Sequence, residues 1–339
     1  MKFGGKASSL CGERFIVKIL VTGANGFIGS HLVESLTETN HEVSALCEYN
    51  FASSYGWLEA SPVLEKVQVH LGDIRDSNFI RGICTDVELI INLAALISIP
   101  YSYEAPRSNV EVNVMGTINV LDASRINNAK VIHVSTSEVY GTPKYVPIRE
   151  DHEINPQSPY AASKASADFI VQSYNRSFNV RTLTLRPFNT FGPRQSARAV
   201  IPTILSQALR GSTIKLGNLE AQRDFTYVSD TVNAFLLALD RNDLFDGNTI
   251  HLGYGESIAI RDLVEKISKI IDKPLEISES QERIRPVRSE VEILKSDPSK
   301  AKRLLDWHAK VELDQGIMNT WQWMLENQSK YPRYTDYLR

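Results

Sequence analysis

Tyr160 and Lys164 stand four residues apart in the run SPYAASKASADFI, a spacing that sets both side chains on one face of a helix. An ammonium held beside a phenol favours the phenolate, so a group with an ordinary pKa of about 10 becomes a base near neutrality. Upstream, Ser135, Thr136, Ser137, Glu138, Val139 and Tyr140 follow an apolar run. Thr136 can donate a hydrogen bond to the oxygen that Tyr160 deprotonates. Glu138, two positions on, can remove a proton α to the ketone so formed. Thr136, Ser137, Glu138, Tyr160 and Lys164 are therefore the expected catalytic set, and their chemistry is hydride transfer between a carbinol carbon and a nicotinamide. The plainer readings are a chance Tyr-x-x-x-Lys and a Glu138 that caps a turn or pairs locally.

Such chemistry needs a dinucleotide site, and Ile16 to Gly29 reads IVKILVTGANGFIG. A β-branched run ends at Thr22, Gly23, Gly26 and Gly29 follow, and Ser30 to Leu36 is amphipathic. This is a buried strand, a tight turn and a helix. Glycine makes the turn, lets backbone approach a pyrophosphate and seats the helix on its strand. The helix N-terminus offers N–H groups to phosphate. Gly23, Asn25, Gly26, Phe27, Ile28 and Gly29 are the expected contacts.

The elements that complete this site follow in order. His41–Cys47 is a second strand, whose end meets the adenine ribose. Cys47 stands there with Glu48 next, and a carboxylate at Glu48 repels a 2′-phosphate, favouring NAD over NADP. Val67–Leu71 is a third strand; beyond it Asp73 can bond the adenine amine with Ile74 on the ring, or Asp73 caps the next helix. Glu88–Leu93 is a fourth, and Leu93, Ala94 and Ala95 let the chain pass close to the cofactor. Ser98 to Tyr103, rich in hydroxyls and rings, lies at the carboxyl edge of the sheet, where open α/β sheets bind ligands. A helix over Ser108–Ile126, a strand at Lys130–Ser135, a helix over Pro159–Phe178 and a strand at Val180–Leu185 continue the rhythm.

The pattern predicts a Rossmann-type doubly wound parallel α/β sheet with a smaller mixed α/β substrate-binding lobe. The expected boundaries are 16–185 with returning segments at about 228–252 for the NAD-binding domain, and 186–227 with 253–339 for the lobe. Residues 1–15 are expected to be an N-terminal extension, lacking the apolar segment of a secretory signal. In the lobe, Arg186–Arg198 reads as irregular. Helices are expected at 199–210, 228–239, 257–271, 299–305 and 313–328, and short strands at 213–216, 224–227 and 275–279.

The 339 residues are 42% hydrophobic and 23% charged with a net charge of -3, which gives no reason to propose nucleic acid or an anionic membrane as a partner. Cys11, Cys47 and Cys84 form neither a disulfide framework nor a metal-ligand spacing. No metal is expected, no run is long enough to span a bilayer, and the default compartment is cytoplasmic.

GANGFIG (23–29), NLAA (92–95), STSEVYG (135–141), YAASK (160–164) and RPFNTFGPRQ (186–195) resemble the extended short-chain dehydrogenase/reductase family acting on nucleotide-activated sugars, over Lys18 to Trp323. Within it the pattern is most similar to NDP-hexose 4,6-dehydratases. ARAVIPTILSQ from Ala197, QRDFTYVSD from Gln222 and RPVRSEVEILKSDPSKAKRLLDW from Arg285 resemble the branch making 4-keto-6-deoxy-N-acetylhexosamines for legionaminic-acid-type polysaccharide sugars. The resemblance implies a tightly bound, recycled NAD, a UDP- or GDP-N-acetylglucosamine substrate and a homodimer through the 108 and 159 helices. It implies that Asn189, Arg223 and Arg285 hold the pyrophosphate, that Lys215, Leu216 and Gly217 line the base pocket, and that Ser98, Tyr101 and Ser102 lie near the hexose. Arginine suits a pyrophosphate because its fork pairs with two oxygens. The plainer readings are an Arg223–Asp224 surface pair and a solvated Arg285.

The mechanism implied is oxidation at C4, removal of the C5 proton by Glu138, loss of water across C5–C6 and return of hydride to C6. One departure stands out. Many hexose 4,6-dehydratases carry aspartate immediately before the glutamate, as acid for the leaving hydroxyl; here it is Ser137, too weak an acid to act alone. The Ser–Glu pair also occurs in GDP-mannose 4,6-dehydratases and in UDP-glucuronate decarboxylases. The latter are the main alternative, against which SIPYS (98–102) supplies no charge for a substrate carboxylate. A 4-epimerase needs neither Ser137 nor Glu138. An NAD-binding regulatory module is the non-enzymatic alternative.

Overall fold

A computed structural model describes residues 16–331; the expected N-terminal extension lies outside them. The strand before the glycine turn is β1 (Lys18–Thr22), and its last four residues are buried. With β2 (Glu42–Glu48), β3 (Gln68–Gly72), β4 (Leu89–Asn92), β5 (Lys130–Val134) and β6 (Thr182–Pro187) it builds a parallel sheet. A further strand, β11 (Asp246–Leu252), completes the order β11-β6-β5-β4-β1-β2-β3. The order reverses between β1 and β4, and ligands of open α/β sheets bind beyond the carboxyl ends at that point.

Both faces are covered, as a parallel sheet requires. On one, α1 (Phe27–Thr37), α8 (Val228–Leu239) and α10 (Ser299–Leu305) bury Leu32, Leu36, Phe235 and Leu305. On the other, α2 (Ser77–Ile83), α5 (Gly116–Asn127) and α6 (Pro159–Phe178) bury Ile80, Leu121 and Val171. Ser158 caps α6, its Oγ accepting from the Ala161 N–H, and Pro159 takes the first position. Proline fits there because that N–H has no helical partner.

The second lobe has its own core of Ile201, Leu205, Leu263, Ile317 and Met324. It is made by α7 (Val200–Ala208), α9 (Ile260–Ile270) and α11 (Leu313–Glu326), with β8 (Thr213–Leu216) paired to β13 (Glu276–Glu279). A three-stranded sheet, β12 (Ile258–Ala259), β9 (Gln222–Arg223) and β14 (Ile293–Leu294), carries Arg223.

Three segments beside the candidate site differ from expectation. The stretch 186–198 contains a strand, β7 (Asn189–Phe191), because it finds a parallel partner in β10 (Phe225–Tyr227). Residues Ile99–Glu104 form a short helix, α3, capped by Ser98. The helix expected over 108–126 runs through α4 (Pro106–Val110), a π-helical turn at Glu111–Met115 and then α5. The π turn holds Asn113, and such bulges recur at functional sites.

Candidate active site

The glycine turn is built for backbone contact. Gly23 has φ +66°, and a Cβ on it would lie 2.8 Å from the Ala94 nitrogen. A Cβ on Gly29 would lie 2.9 Å from the Ala24 Cα, so α1 packs on the turn only with glycine there. Gly26 is the exposed N-cap of α1 and brings no side-chain hydrogen bond, so the N–H groups at Phe27, Ile28 and Gly29 are open to an anion. These residues fit a dinucleotide pyrophosphate.

The ends of β1 and β4 are locked together around the turn. Thr22 Oγ1 donates to Asn92 Oδ1 at 2.7 Å and accepts from the Ala94 N–H at 3.1 Å. Asn113 grips the chain beyond: its Oδ1 accepts from the Leu96 N–H at 2.8 Å, and its Nδ2 donates to the Leu96 carbonyl at 3.0 Å and Ser163 Oγ at 2.8 Å. Leu93, Ala94 and Ala95 are thereby fixed between the glycine turn and α6. Asn113 is a site residue that the sequence reading missed. It stands between Val112 and Val114 on the same helical row as Asn109 and Thr117, and nothing local sets it apart from them.

At the adenine end, Cys47 is buried in the core, which pushes its thiol up to about 11, and Glu48 is the exposed carboxylate at the strand's end. Asp73 does not cap the next helix. That role belongs to Asp76, which accepts from the Asn78 and Phe79 N–H groups at 3.0 Å. Asp73 instead pairs with Arg75, whose hydrogen bond holds the carboxyl below its usual range. Ile74 is buried against Gly116 of α5, whose added Cβ would lie 2.8 Å from its Cγ2.

The residues expected to be catalytic meet where β5 ends and α6 begins. Thr136 caps a 3-10 turn at Ser137–Tyr140, its hydroxyl accepting from the Glu138 N–H at 3.3 Å and lying close enough to the Tyr160 phenol to act on its ionisation. Ser137 is buried within this turn. Glu138 is half-buried, its Oε1 3.8 Å from Arg285 Nη1. Its charge also acts on Tyr160 and Arg223. Lys164 is buried and donates to the Val134 carbonyl at 2.6 Å.

The expectation that the Lys164 ammonium brings the phenol toward neutrality is not met in this conformation. Burial pushes the Tyr160 phenol above its usual value, the Glu138 and Asp168 charges add to that, and the Thr136 hydroxyl works against it. Burial lowers Lys164 to about 8, Asp168 opposing and Arg186 assisting. The physical reason is desolvation, which penalises a phenolate and an ammonium alike.

Opposite these lie the cations. Arg223 is buried, and its Nη2 lies 3.3 Å from Glu290 Oε1. Arg285 Nη1 lies 3.9 Å from the same carboxylate. The Arg223–Asp224 surface pair is therefore absent: Asp224 is fully buried and accepts from the N–H groups of Tyr254, Gly255 and Ser296. Asn189 lies beside them, its N–H donating to the Asp224 carbonyl at 3.0 Å. Glu290, between the two arginines, was not foreseen, since nothing local distinguishes it from a solvated acid.

Of the hydroxyls expected near a sugar, Ser98 and Ser102 are engaged in α3. Ser98 Oγ accepts from the Tyr101 N–H at 3.3 Å, and Ser102, fully buried, donates to the Ile99 carbonyl at 2.7 Å. Tyr101 is exposed, and the Tyr103 hydroxyl meets Ser289 Oγ at 2.5 Å, tying α3 to the Arg285–Glu290 loop. Lys215 is exposed and Leu216 buried on β8, and a Cβ on Gly217 would lie 2.8 Å from the Arg283 carbonyl carbon.

The family described as GDP-mannose 4,6 dehydratase matches residues 20–320. The chain belongs to this family. Members of this group are NAD-dependent nucleotide-sugar enzymes, and the chain is similar to three kinds. It is 32% identical to a UDP-glucose 4-epimerase of Mycolicibacterium smegmatis over 312 residues, covering 90% of this chain and 97% of the relative. It is 31% identical to UDP-glucuronic acid decarboxylase 3 of Arabidopsis thaliana over 310 residues, covering 89% and 87%. The crystal structure of the dTDP-glucose 4,6-dehydratase of Streptomyces venezuelae with NAD bound superposes with a TM-score of 0.85 at 27% identity, covering 93% of this chain and 99% of that one. The family relationship agrees with the fit of the glycine turn, and NAD is the cofactor. Among the described residues no helix is long and apolar enough to cross a membrane, and no cluster of His, Cys, Asp or Glu is suited to a metal.

Proposed function

We propose that the protein is a nucleotide-sugar 4,6-dehydratase acting on an NDP-N-acetylglucosamine, with UDP or GDP as the nucleotide. The observation that carries this is Glu138: a carboxylate on the same corner as Thr136, electrostatically coupled to the Tyr160 phenol and 3.8 Å from Arg285. A C4 epimerisation needs no such base beside the alcohol-oxidising phenol.

Bound NAD supplies a hydride acceptor at C4 and, later in the same turnover, the donor to C6; its positive ring also favours the Tyr160 phenolate. Tyr160 takes the 4-hydroxyl proton, with Thr136 as the hydrogen-bond donor that holds its oxygen. The 4-ketone acidifies C5, and Glu138 removes that proton. Ser137, buried on the same turn, orients rather than protonates, so Glu138 passes the proton to the departing 6-hydroxyl and water leaves; as C6 regains hydride, C5 takes up a proton, equal to the one Tyr160 removed from the 4-hydroxyl. Arg223, Arg285 and Asn189 hold the pyrophosphate; Glu290 pairs with both guanidiniums, and its single charge leaves a net positive charge for the phosphates. Ser98, Tyr101 and Ser102 shape the hexose end through α3, and Lys215 and Leu216 border the base.

Arg223→Ala should raise KM about 10- to 100-fold with a smaller change in kcat, the value of a charge-assisted hydrogen bond of about 1.5–3 kcal/mol. Steady-state kinetics on the identified substrate checks this, and an unchanged KM would remove Arg223 from the pyrophosphate site.

The substrate itself is read by incubating the enzyme, without added NAD, with UDP-N-acetylglucosamine, GDP-mannose, dTDP-glucose and UDP-glucuronate. Loss of water from the mass of an N-acetylglucosamine nucleotide supports the proposal. Loss of carbon dioxide from UDP-glucuronate, or an isomer of unchanged mass, assigns the decarboxylase or the epimerase instead.

We also infer a homodimer. Val110, Met115 and Phe169 are large apolar residues exposed on adjoining helical segments, 48%, 47% and 54% accessible. Phe169→Glu should elute as a monomer in gel filtration while wild type elutes as a dimer. Identical elution of the two would overturn this.

A further inference from the structure

Behind the catalytic face lies a buried polar cluster that none of the roles above uses. Asp168, two helical turns beyond Tyr160 and one beyond Lys164, is fully enclosed. Its Oδ1 is 3.1 Å from His133 Nε2 on β5. Its Oδ2 accepts from Ser135 Oγ at 2.6 Å and from Arg186 Nη2, on β6, at 2.6 Å. Arg186 also donates to the Tyr140 hydroxyl, which meets His251 Nε2 at 2.6 Å.

The hydrogen-bond roles are fixed by chemistry. A carboxylate only accepts, so His133 carries its proton on Nε2. Its Nδ1 is then the bare, accepting nitrogen, and it is buried without a hydrogen-bond partner. Burial lowers the His133 pKa, which keeps the ring uncharged. The Tyr140 phenol, raised to about 12 by burial, stays protonated, so it accepts from Arg186 and donates to His251, itself held neutral by burial.

The charges that remain are two cations, Lys164 and Arg186, and one anion, Asp168. They are locked across the strand segment 133–135, whose middle carbonyl, that of Val134, receives the Lys164 ammonium. We propose that Asp168 is a positioning residue for alcohol oxidation: it anchors β5 and β6 to α6 so that Val134 presents its carbonyl to Lys164, and it supplies the counter-charge that keeps the lysine an ammonium beside Arg186. This proposal rests on the Tyr160–Lys164 oxidation at C4, shared by dehydratase, decarboxylase and epimerase, and not on which product forms.

The electrostatics run the same way. Burial opposes ionisation of Asp168, but Arg186, His133 and Ser135 outweigh it and hold the carboxyl well below its usual range. For Lys164, burial lowers the pKa, Asp168 raises it and Arg186 lowers it further. The groups facing this cluster are Tyr160 on α6, His133 on β5, Arg186 on β6 and Tyr140 on the 3-10 turn, with Glu138 beyond Tyr160. Glu150 meets the far side through the His251 N–H at 2.9 Å.

The test is the pH profile of single-turnover cofactor reduction in the holoenzyme, read at 340 nm. Asp168→Asn keeps the shape and, through its amide, most hydrogen bonds, but deletes the charge. Lys164 should then lose its proton at lower pH, moving the alkaline limb down by about one pH unit, tenfold in proton concentration. Asp168→Glu, which keeps the charge but disturbs packing, should retain the wild-type limb. Arg186→Gln removes the opposing cation and should move the limb up, and it carries the test if the Asn variant does not fold. An Asn variant with a lowered melting temperature and an unmoved limb, or two charge variants shifting the same way, would overturn the proposal and leave Asp168 a purely structural residue.

Discussion

Glu138→Gln is expected to stop elimination while leaving oxidation intact. Removing a positioned general base costs about 100- to 10,000-fold, and this residue is proposed to act twice, on the C5 proton and on the leaving hydroxyl. The amide is isosteric, so the 3-10 turn held by Thr136 and the Glu138 N–H should persist. The variant should still reduce its bound cofactor from substrate and then stall at the 4-ketone. A second consequence follows from charge. The Glu138 carboxylate raises the Tyr160 pKa, so its neutralisation should lower it and shift the acid limb of the oxidation half-reaction to lower pH. Full turnover by the variant would remove Glu138 from the mechanism.

Tyr160→Phe is expected to fail one step earlier. Without the phenol no group on this face takes the 4-hydroxyl proton, and oxidation should fall about 1,000-fold or more. Binding should survive, because the residues proposed to hold the nucleotide and pyrophosphate, Arg223 and Asn189 among them, lie in the second lobe. The measurement is rapid-mixing absorbance for cofactor reduction alongside calorimetric substrate binding. Stalling after oxidation in Glu138→Gln and before it in Tyr160→Phe separates the two roles. Equal cofactor reduction in both variants would contradict the assignment of Tyr160.

Much of this was legible in local sequence because its causes are local. The glycine turn follows from a β-branched run, three glycines and an amphipathic start, and β1 and α1 fall where that pattern puts them. The helix over Pro159–Phe178 has its cap at Ser158 and proline at its first position, and both ends match. What escaped depends on partners far along the chain. The strand β7 exists only because β10 lies beside it. Asp246–Leu252 joins the sheet edge through β6, though it starts with polar residues. Tyr140 and His251 are 111 positions apart, and Asp168 meets His133 and Arg186 across two strands. Asn113 and Glu290 read as ordinary polar residues until Leu96 and the two arginines are set against them. The Lys164–Tyr160 relation was foreseen as a spacing, but the desolvation that dominates both groups was not, because burial is a property of the assembled fold.

In the proposed reaction hydride leaves C4, water is lost across C5–C6, and the same hydride returns at C6. The direct test is turnover of the N-acetylglucosamine nucleotide carrying deuterium at C4, with no cofactor added, and NMR of the product. The expected product is a 4-keto-6-deoxy sugar with the deuterium in its C6 methyl group. Deuterium returned to C4 of an intact hexose would contradict it and make the protein an epimerase.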